Sequence, residues 1–168
     1  MGLTTSMIGL ALGQIFFGPL SDKYGRRPLL LVSMLLFIVS TLFCLFAPDI
    51  YSFVTLRLIQ GIAGAGGIVI SRSVAIDKFS GKELAKMLAV IGAINGVAPV
   101  AAPVIGGLLT GSVGWQGIFM ILLFIGILLG IGCIRFKESL PAEKRSKTGV
   151  WATFRSFGII VHNRRYML

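Results

Sequence analysis

Long apolar stretches separated by short polar connections make up most of this chain. Five of the stretches are long enough to cross a bilayer, which takes about 20 consecutive apolar residues in a helix. These stretches are residues 1–20, 28–47, 50–72, 86–110 and 115–134. Because the connections are short, successive helices must run antiparallel. The pattern therefore predicts an all-α membrane protein with five transmembrane helices.

Basic residues mark alternate connections. Lysines and arginines occur in the connections 21–27 and 73–86 and in the segment after residue 134, whereas the connections 48–49 and 111–114 contain none. Since Lys and Arg accumulate on the cytoplasmic side of membrane proteins, we expect the basic connections in the cytoplasm and the neutral ones outside. The chain would then begin on the outer face. We interpret this as a missing first helix of a longer protein or a misassigned start.

The composition supports a lipid environment. The chain is 55% hydrophobic and 13% charged, whereas a soluble domain is about 25% charged. Its mean hydropathy is +0.91. The net charge of +10 lies in the connections and not on a soluble basic face, so we expect no nucleic-acid binding.

No arrangement of residues typical of an enzyme or a metal site is present. Cys44 and Cys133 lie inside apolar stretches without a CxxC pair, and we interpret them as small buried hydrophobic side chains. The glycine-rich run 64–67 has no strand before it and no lysine after it, which favours close helix packing over nucleotide binding. The sequence therefore predicts no enzymatic activity, no metal and no cofactor.

The last part of the chain differs from the membrane domain, residues 1–135. Residues 136–168 begin with a polar, proline-containing segment and then place Trp151, Phe154, Phe157 and Ile160 at helical spacing. Aromatic and basic residues in this pattern are typical of a helix that lies in the membrane interface. We expect a cytoplasmic central linker with an interfacial amphipathic helix.

The stretch GPLSDKYGRRP, residues 18–28, concentrates charges and turn-forming residues between the first two predicted helices. Gly18 and Pro19 are expected to end the first helix, and Gly25 to allow a left-handed or otherwise tight turn. Pro28 suits the first turn of the next helix. A generic positively charged loop is the alternative that composition alone leaves open.

This stretch resembles the signature loop between the second and third helices of the major facilitator superfamily. The matching residues are Gly18, Leu20, Asp22, Gly25, Arg26 and Arg27. LRLIQGIAGAGG, residues 56–67, is similar to the fourth-helix motif of the proton-driven drug exporters, and GVAPVAAPVIGG, residues 96–107, to the antiporter motif of the fifth helix. The first stretch in particular is similar to multidrug efflux transporters of the bicyclomycin-resistance type.

The resemblance implies a role for each motif. Asp22 would latch the cytoplasmic side when the transporter opens outward, with Arg72 as a possible ion-pair partner. Arg57, with Gln60 and Gly61 beside it, would act in proton transfer and energy coupling. The antiporter motif would control leakage and the direction of transport. Its residues here are Gly96, Pro99, Pro103, Gly106 and Gly107.

The cost of burying a charge supports a special position for Arg57. It lies about seven residues into its predicted helix, roughly 10 Å at 1.5 Å per residue. An arginine at the centre of a membrane helix costs about 2.5–3.5 kcal/mol on insertion scales. We therefore expect it to face a cavity or a partner. Snorkelling to the outer interface is the alternative for Arg57, and a purely structural kink is the alternative for the two prolines.

The resemblance implies drug:proton antiport across the bacterial cytoplasmic membrane by alternating access. The proton gradient would supply the energy, and a drug-like small molecule would be the substrate. The chain would provide the second to sixth helices of a twelve-helix transporter, most of one six-helix half, and would need the missing carboxy-terminal half as partner. All six acidic residues lie in loops or at helix ends, so we expect no transport by the chain alone. Two alternatives are a metabolite exporter of the same fold and a small membrane partner subunit.

Overall fold

The computed structural model describes residues 2–136 and 138–140, and the regular secondary structure of this part of the chain is α-helical throughout. The order of its helical elements is α1 (Gly2–Tyr24), α2 (Arg26–Leu45), α3 (Ile50–Lys78) and α4 (Gly81–Ile134). Each of the four is long and apolar enough to cross a membrane. The interfacial helix expected near residues 151–160 lies outside the described residues.

The prediction of five separate helices is not matched, because the last two predicted spans fall within α4. This element has 54 residues, which would measure about 80 Å if straight, more than twice the hydrocarbon thickness. Its backbone leaves helical geometry at Gly114, with φ 68° and ψ 178°. Glycine adopts such a positive φ without steric strain. The predicted connection 111–114 is therefore helical up to a kink at one glycine.

The junction between α1 and α2 is also shorter than predicted. Gly18 and Pro19 do not end the first helix, since α1 continues through Pro19 to Tyr24. Proline is tolerated inside membrane helices because neighbouring groups satisfy the carbonyl that loses its donor. Gly25 alone separates the two helices, and its φ of 101° confirms the predicted positive-φ turn.

The connection between α3 and α4 shortens in the same way. The predicted connection 73–86 is reduced to Phe79 and Ser80, because α3 extends to Lys78 and α4 begins at Gly81. Polar and charged residues can occupy the last turns of a helix that projects beyond the apolar layer. The hydropathy pattern therefore predicted the apolar spans of α3 and α4 but not the polar turns by which each helix extends beyond its span.

Small residues bring α1 and α3 into close contact. A Cβ atom added to Gly9 would collide with the carbonyl oxygen of Leu58, and one added to Gly61 would collide with the carbonyl oxygen of Ser6. A Cβ added to Gly13 would lie 2.7 Å from another α3 carbonyl oxygen. Such small residues let two helix backbones approach closely, as in other membrane helix pairs.

Larger side chains pack around this pair. A buried cluster at the junction of α1, α2 and α3 contains Phe17, Leu29, Ala65 and Ile70. The part of α4 after the kink packs against α2, where a Cβ on Gly130 would lie 3.2 Å from Ile38. Many other large apolar side chains remain exposed. In a bilayer, exposed apolar side chains meet an apolar surrounding, so their exposure does not oppose folding.

The close approach of α1 and α3 predicts that Gly61→Val lowers stability by about 1–3 kcal/mol, because the added atoms push two backbones apart. Gly92→Val is the matched control, since Gly92 is exposed and has nothing within 4 Å of an added Cβ. The measurement is the unfolding midpoint of the purified chain in mixed detergent micelles titrated with SDS. Equal midpoints for the two variants would contradict this packing.

Candidate functional site

Two groups of polar side chains lie among the apolar helices. The first, here called the Arg26 cluster, consists of Ser21, Asp22, Arg26 and Asp77 and lies where α1 ends, α2 begins and α3 ends. The second, here called the Arg57 chain, consists of Arg57, Gln60 and Thr41 and links α3 to α2. Both groups are joined by hydrogen bonds between side chains.

The Arg26 cluster holds three helix ends together through one guanidinium group. Arg26 is 6% exposed. Its Nη1 donates to Asp22 Oδ1 at 2.6 Å and to the hydroxyl of Ser21, and its Nε donates to Asp77 Oδ2 at 3.0 Å. Because Asp22 and Asp77 are carboxylates, their bonds to Arg26 are charge-assisted hydrogen bonds, the stronger kind. The side chain of Asp77 is 15% exposed, and its Oδ2 also accepts from the Ser139 hydroxyl at 3.4 Å. The side chain of Asp22 is 55% exposed and remains open to further partners.

The carboxylate of Glu138 occupies the start of α2. It accepts from the backbone N–H of Arg26 at 2.9 Å and from that of Arg27 at 3.2 Å. Gly25 provides no side chain to cap this end. A carboxylate is favourable here because the first N–H groups of a helix lack intrahelical acceptors and the helix dipole is positive. The backbone N–H groups of Ser139 and Leu140 also donate to Glu138, so the segment after α4 folds onto the start of α2.

The structure places the predicted hairpin residues at one junction but changes their pairing. Asp22 binds Arg26, and no ion pair of Arg72 occurs among residues 2–136 and 138–140. Leu20 packs against the buried cluster, while Gly18 has no neighbour within 4 Å of an added Cβ. Gly25 forms the turn, and Arg27 donates from Nη2 to the carbonyl oxygen of Ile134 at 3.0 Å.

Sequence reasoning missed Asp77 and Glu138. Both are single acidic residues next to basic ones, and they lie 51 and 112 residues from Arg26. The small number of acidic residues could have drawn attention to Asp77 and Glu138, because the chain has 6 acidic residues against 16 Lys and Arg. In such a chain an acidic residue at the basic end of a helix has several possible ion-pair partners. The packing of the helices determines that the partner is Arg26.

The Arg57 chain crosses from α3 to α2 by successive hydrogen bonds. Arg57 Nη1 donates to Gln60 Oε1 at 2.8 Å, and Gln60 Nε2 donates to Thr41 Oγ1 at 2.7 Å. The Thr41 hydroxyl in turn donates to the carbonyl oxygen of Phe37 at 2.6 Å. Gln60 is 4% exposed and Thr41 is fully buried. Groups in such a buried chain polarise one another, which strengthens each bond.

Aromatic rings cover the charge of Arg57. Its guanidinium carbon lies 5.7 Å from the ring centroid of Phe53 and 5.0 Å from that of Phe119. Both distances are within the range of cation–π attraction. The two rings also form an edge-to-face pair with centroids 5.8 Å apart. Arg57 Nε is buried and has no hydrogen-bond acceptor among the described residues, so one strong donor remains available.

A cavity of about 300 Å³ lies beside this arginine. Apolar side chains form most of its wall, and Arg57 and Gln60 supply polar groups. Arg57 therefore lines this cavity. The wall includes Ser6, Leu10, Phe37, Gly61 and Leu122. A cavity of this kind can hold an apolar or aromatic molecule and offer hydrogen-bond donors to it.

The predicted antiporter motif lies apart from both polar groups. Its residues belong to the part of α4 before the kink, and the helix continues through Pro99 and Pro103. An added Cβ on Gly96, Gly106 or Gly107 would have nothing within 4 Å. Within the described ranges, no group of three or more His, Cys, Asp or Glu residues could hold a metal ion.

Comparison with known proteins gives consistent matches. The sequence model of the Major Facilitator Superfamily matches residues 1–168. The uncharacterized MFS-type transporter YdgK of Bacillus subtilis is 39% identical over 170 residues, covering 99% of this chain and 42% of that protein. The bicyclomycin resistance protein homolog of Haemophilus influenzae is 33% identical over 126 residues, covering 75% of this chain and 32% of that protein.

A third relative and a solved structure agree. The multidrug resistance protein MdtL of Salmonella heidelberg is 30% identical over 139 residues, covering 82% of this chain and 35% of that protein. The crystal structure of the human organic anion transporter MFSD10 (TETRAN) superposes with a TM-score of 0.70 at 26% identity, covering 88% of this chain and 33% of that one. The chain thus spans less than half the length of these proteins.

The Arg26 cluster predicts that Asp77→Asn destabilises the chain. Removing one partner of a fully buried ion pair costs about 3–5 kcal/mol, and we expect about 2 kcal/mol here because Asp22 still pairs with Arg26. Asp49→Asn is the matched control, because Asp49 is exposed and its side chain makes no capping hydrogen bond. The free energy of unfolding in SDS titrations checks this. If Asp77→Asn lowers the free energy of unfolding no more than the control does, Asp77 does not stabilise the Arg26 cluster.

Proposed function

The chain belongs to the Major Facilitator Superfamily, and we propose that its helices form part of a proton-coupled efflux transporter for drug-like molecules. Members of this family are transporters and not enzymes, and the relatives include proteins named for bicyclomycin and multidrug resistance. We place the protein in the bacterial cytoplasmic membrane. The proton gradient would supply the energy, and no cofactor would be required.

The position of Arg57 carries this proposal. It lines an apolar cavity, its Nη1 starts a hydrogen-bonded chain through Gln60, and its Nε keeps a donor without an acceptor in the described structure. A carboxylate brought to this donor would be held by a charge-assisted bond while ionised and released when protonated. Competition between a proton and Arg57 for one carboxylate is a direct way to couple protonation to a change of state.

The coupling carboxylate must come from elsewhere. The described acids lie at helix ends or in connections: Asp22, Asp49, Asp77, Glu83 and Glu138. None of them lies in the wall of the cavity. We therefore propose that a segment of the complete transporter outside this chain supplies it. On this view the 168-residue chain reconstituted alone would not transport.

The Arg26 cluster would serve as the cytoplasmic latch. Asp22 uses one carboxylate oxygen on Arg26, and its side chain is 55% exposed. It can therefore bind a second donor from the other half of the transporter while Arg26 stays tied to Asp77. Such an interaction would close the cytoplasmic side and break when the halves rock apart in alternating access.

We also propose that α4 crosses the membrane twice. Its kink at Gly114 lies in the region 111–114, which has no Lys or Arg, and the part after the kink packs back along α2. Two crossings would produce five spans in all, most of one six-helix half. The antiporter motif would then lie on the fifth helix of the complete transporter and face a helix of the other half.

A metabolite exporter with the same fold is the second candidate, and the charge of the cavity favours an anionic substrate. Arg57 is the charged residue in the described cavity wall, and the superposed human protein is named an organic anion transporter. A substrate carboxylate could accept from Arg57 Nε directly. Competition experiments with amphipathic anions and amphipathic cations in the complete transporter would separate this candidate from a general drug exporter.

The proposed orientation predicts the readout of reporter fusions. Fusions at residues 48–49 and at 111–114 should show external reporter activity, whereas fusions at 78–82 should show cytoplasmic activity. The reason is the confinement of Lys and Arg to alternate connections. Alkaline phosphatase and green fluorescent protein fused at the same positions provide reciprocal measurements. If fusions at residues 78–82 and at 111–114 report the same side of the membrane, α4 does not cross the membrane twice.

The proposed mechanism predicts the effect of substitutions at matching positions in an intact homologous transporter. Arg57→Lys should slow efflux in everted vesicles about tenfold or more, because losing a hydrogen bond of a charged group costs about 1.5–3 kcal/mol. Asp22→Asn should abolish drug resistance while leaving membrane insertion intact.

The control for both variants is Arg72→Gln, which removes a cation that is exposed and has no ion pair in the described structure. It should leave efflux near the starting level. Normal efflux by Arg57→Lys would exclude the coupling role, and resistance unchanged by Asp22→Asn would exclude the latch.

A further inference from the structure

An apolar groove lies between α2 and the last part of α4. It has a volume of about 270 Å³, and its wall consists of apolar residues of both helices. Leu31, Leu35 and Ile38 line it on α2, and Gly130 and Ile134 line it on α4. Gly130 contributes to the depth of the groove, because even a Cβ atom there would lie 3.2 Å from Ile38.

Two arginines stand at one end of this groove. Arg27 precedes Leu31 by one helical turn, and its Nη2 donates to the carbonyl oxygen of Ile134 at 3.0 Å. Arg135 directly follows Ile134, and both arginines are exposed. The groove is thus lined by apolar side chains along its length and has two positively charged side chains at one end.

The nearby acids are engaged by other groups. Asp22 and Asp77 bind Arg26. Glu138 accepts from four backbone N–H groups at the start of α2 and in its own turn. Glu138 lies beside Arg27 at the start of α2, so two arginines, Arg27 and Arg135, stand against one carboxylate and this end of the groove keeps a net positive charge. An anionic group would complement it.

We propose that this groove binds an anionic phospholipid, with the phosphate at Arg27 and Arg135 and one acyl chain between α2 and α4. The stretch from Leu31 to Ile38 covers about 10 Å along the helix, and acyl chains run along membrane-spanning helices in the same direction. Arginine side chains at helix ends extend to the headgroup region, and basic pockets between membrane helices suit anionic headgroups. This inference depends on membrane insertion and not on the transported substrate.

The bound lipid would act beside the contacts of Glu138 that hold the segment after α4 at the start of α2. Arg27 already joins the two helices through the Ile134 carbonyl. A phosphate held by Arg27 and Arg135 would bridge the same two helices at their basic ends. The lipid would therefore reinforce the position of Glu138 at the start of α2.

The test is native mass spectrometry of the full 168-residue chain, released from detergent after incubation with phosphatidylglycerol or phosphatidylcholine of identical acyl chains. Preferential retention of phosphatidylglycerol is expected. Replacing each arginine with glutamine should lower retention about fivefold, or roughly twenty-fivefold for Arg27→Gln with Arg135→Gln, from the usual attraction of a basic side chain to an anionic membrane surface. Lys82→Gln with Lys86→Gln is the charge-matched control, since both lysines are exposed on the first turns of α4 away from the groove.

A second pair of variants tests the acyl chain without changing charge. Leu35→Trp fills the groove from its exposed rim, whereas Val32→Trp places the same side chain on α2 outside the groove. Only Leu35→Trp should reduce phosphatidylglycerol retention. Circular dichroism and elution volume would confirm that each variant is folded.

Three outcomes would overturn the proposal. The first is equal retention of the two lipids, and the second is an equal loss in the arginine and lysine variants. The third is a lipid-free dimer or a lipid-free monomer with the groove protected from labelling at Leu35→Cys. That result would show that a second copy or another segment of this chain occupies the groove.

Discussion

Hydrocarbon offers no hydrogen-bond partners, and this constraint organises the whole structure. Every backbone polar group in the spans must be satisfied within the chain, which is why the described segments are helices joined by one or a few residues. Buried hydroxyl groups follow the same rule, since Ser33 and Thr41 donate to carbonyl oxygens of their own helix. Arg26 and Arg57 are under the strongest form of this constraint, because burying an unsatisfied charge is far more costly than burying a hydroxyl.

The two arginines meet the constraint differently, and the difference separates their roles. Arg26 is surrounded by two carboxylates and a hydroxyl, which balance its charge and accept from its Nε and Nη1. Arg57 has an amide and two aromatic rings, which reduce the cost of its charge without neutralising it. Arg26 therefore has the surroundings of a structural residue that joins the end of α1, the start of α2 and the end of α3. Arg57 has the surroundings of a group that can still bind an anion.

Close helix packing makes both arrangements possible. The glycines of α1 and α3 bring these backbones together, and Gly61 and Gly64 of α3 also line the cavity beside Arg57. At the other end, α3 can reach the start of α2 with Asp77 only because the helices pack closely along their length. The part of α4 before its kink lacks such contacts at its glycines, and we propose that its partner lies in the complete transporter.

Much of the fold could be predicted from the sequence, because hydropathy, the positions of Lys and Arg and the conformational freedom of Gly25 are local properties. The apolar spans, their antiparallel order and the three motifs follow from residues close together in the chain. The helix ends could not be predicted as well, since α1 continues through Pro19 to Tyr24 and residues 111–114 stay helical up to Gly114.

The partners in the site were decided by the tertiary structure alone. Asp77 and Glu138 meet Arg26, and Phe119 covers Arg57, across separations of 51 to 112 residues. A sequence with 16 cations and 6 acids allows many pairings. The partners could not be predicted because the charge and polarity of a side chain specify only which kind of partner it requires. The register at which two helices pack decides which neighbouring residue is close enough to be that partner.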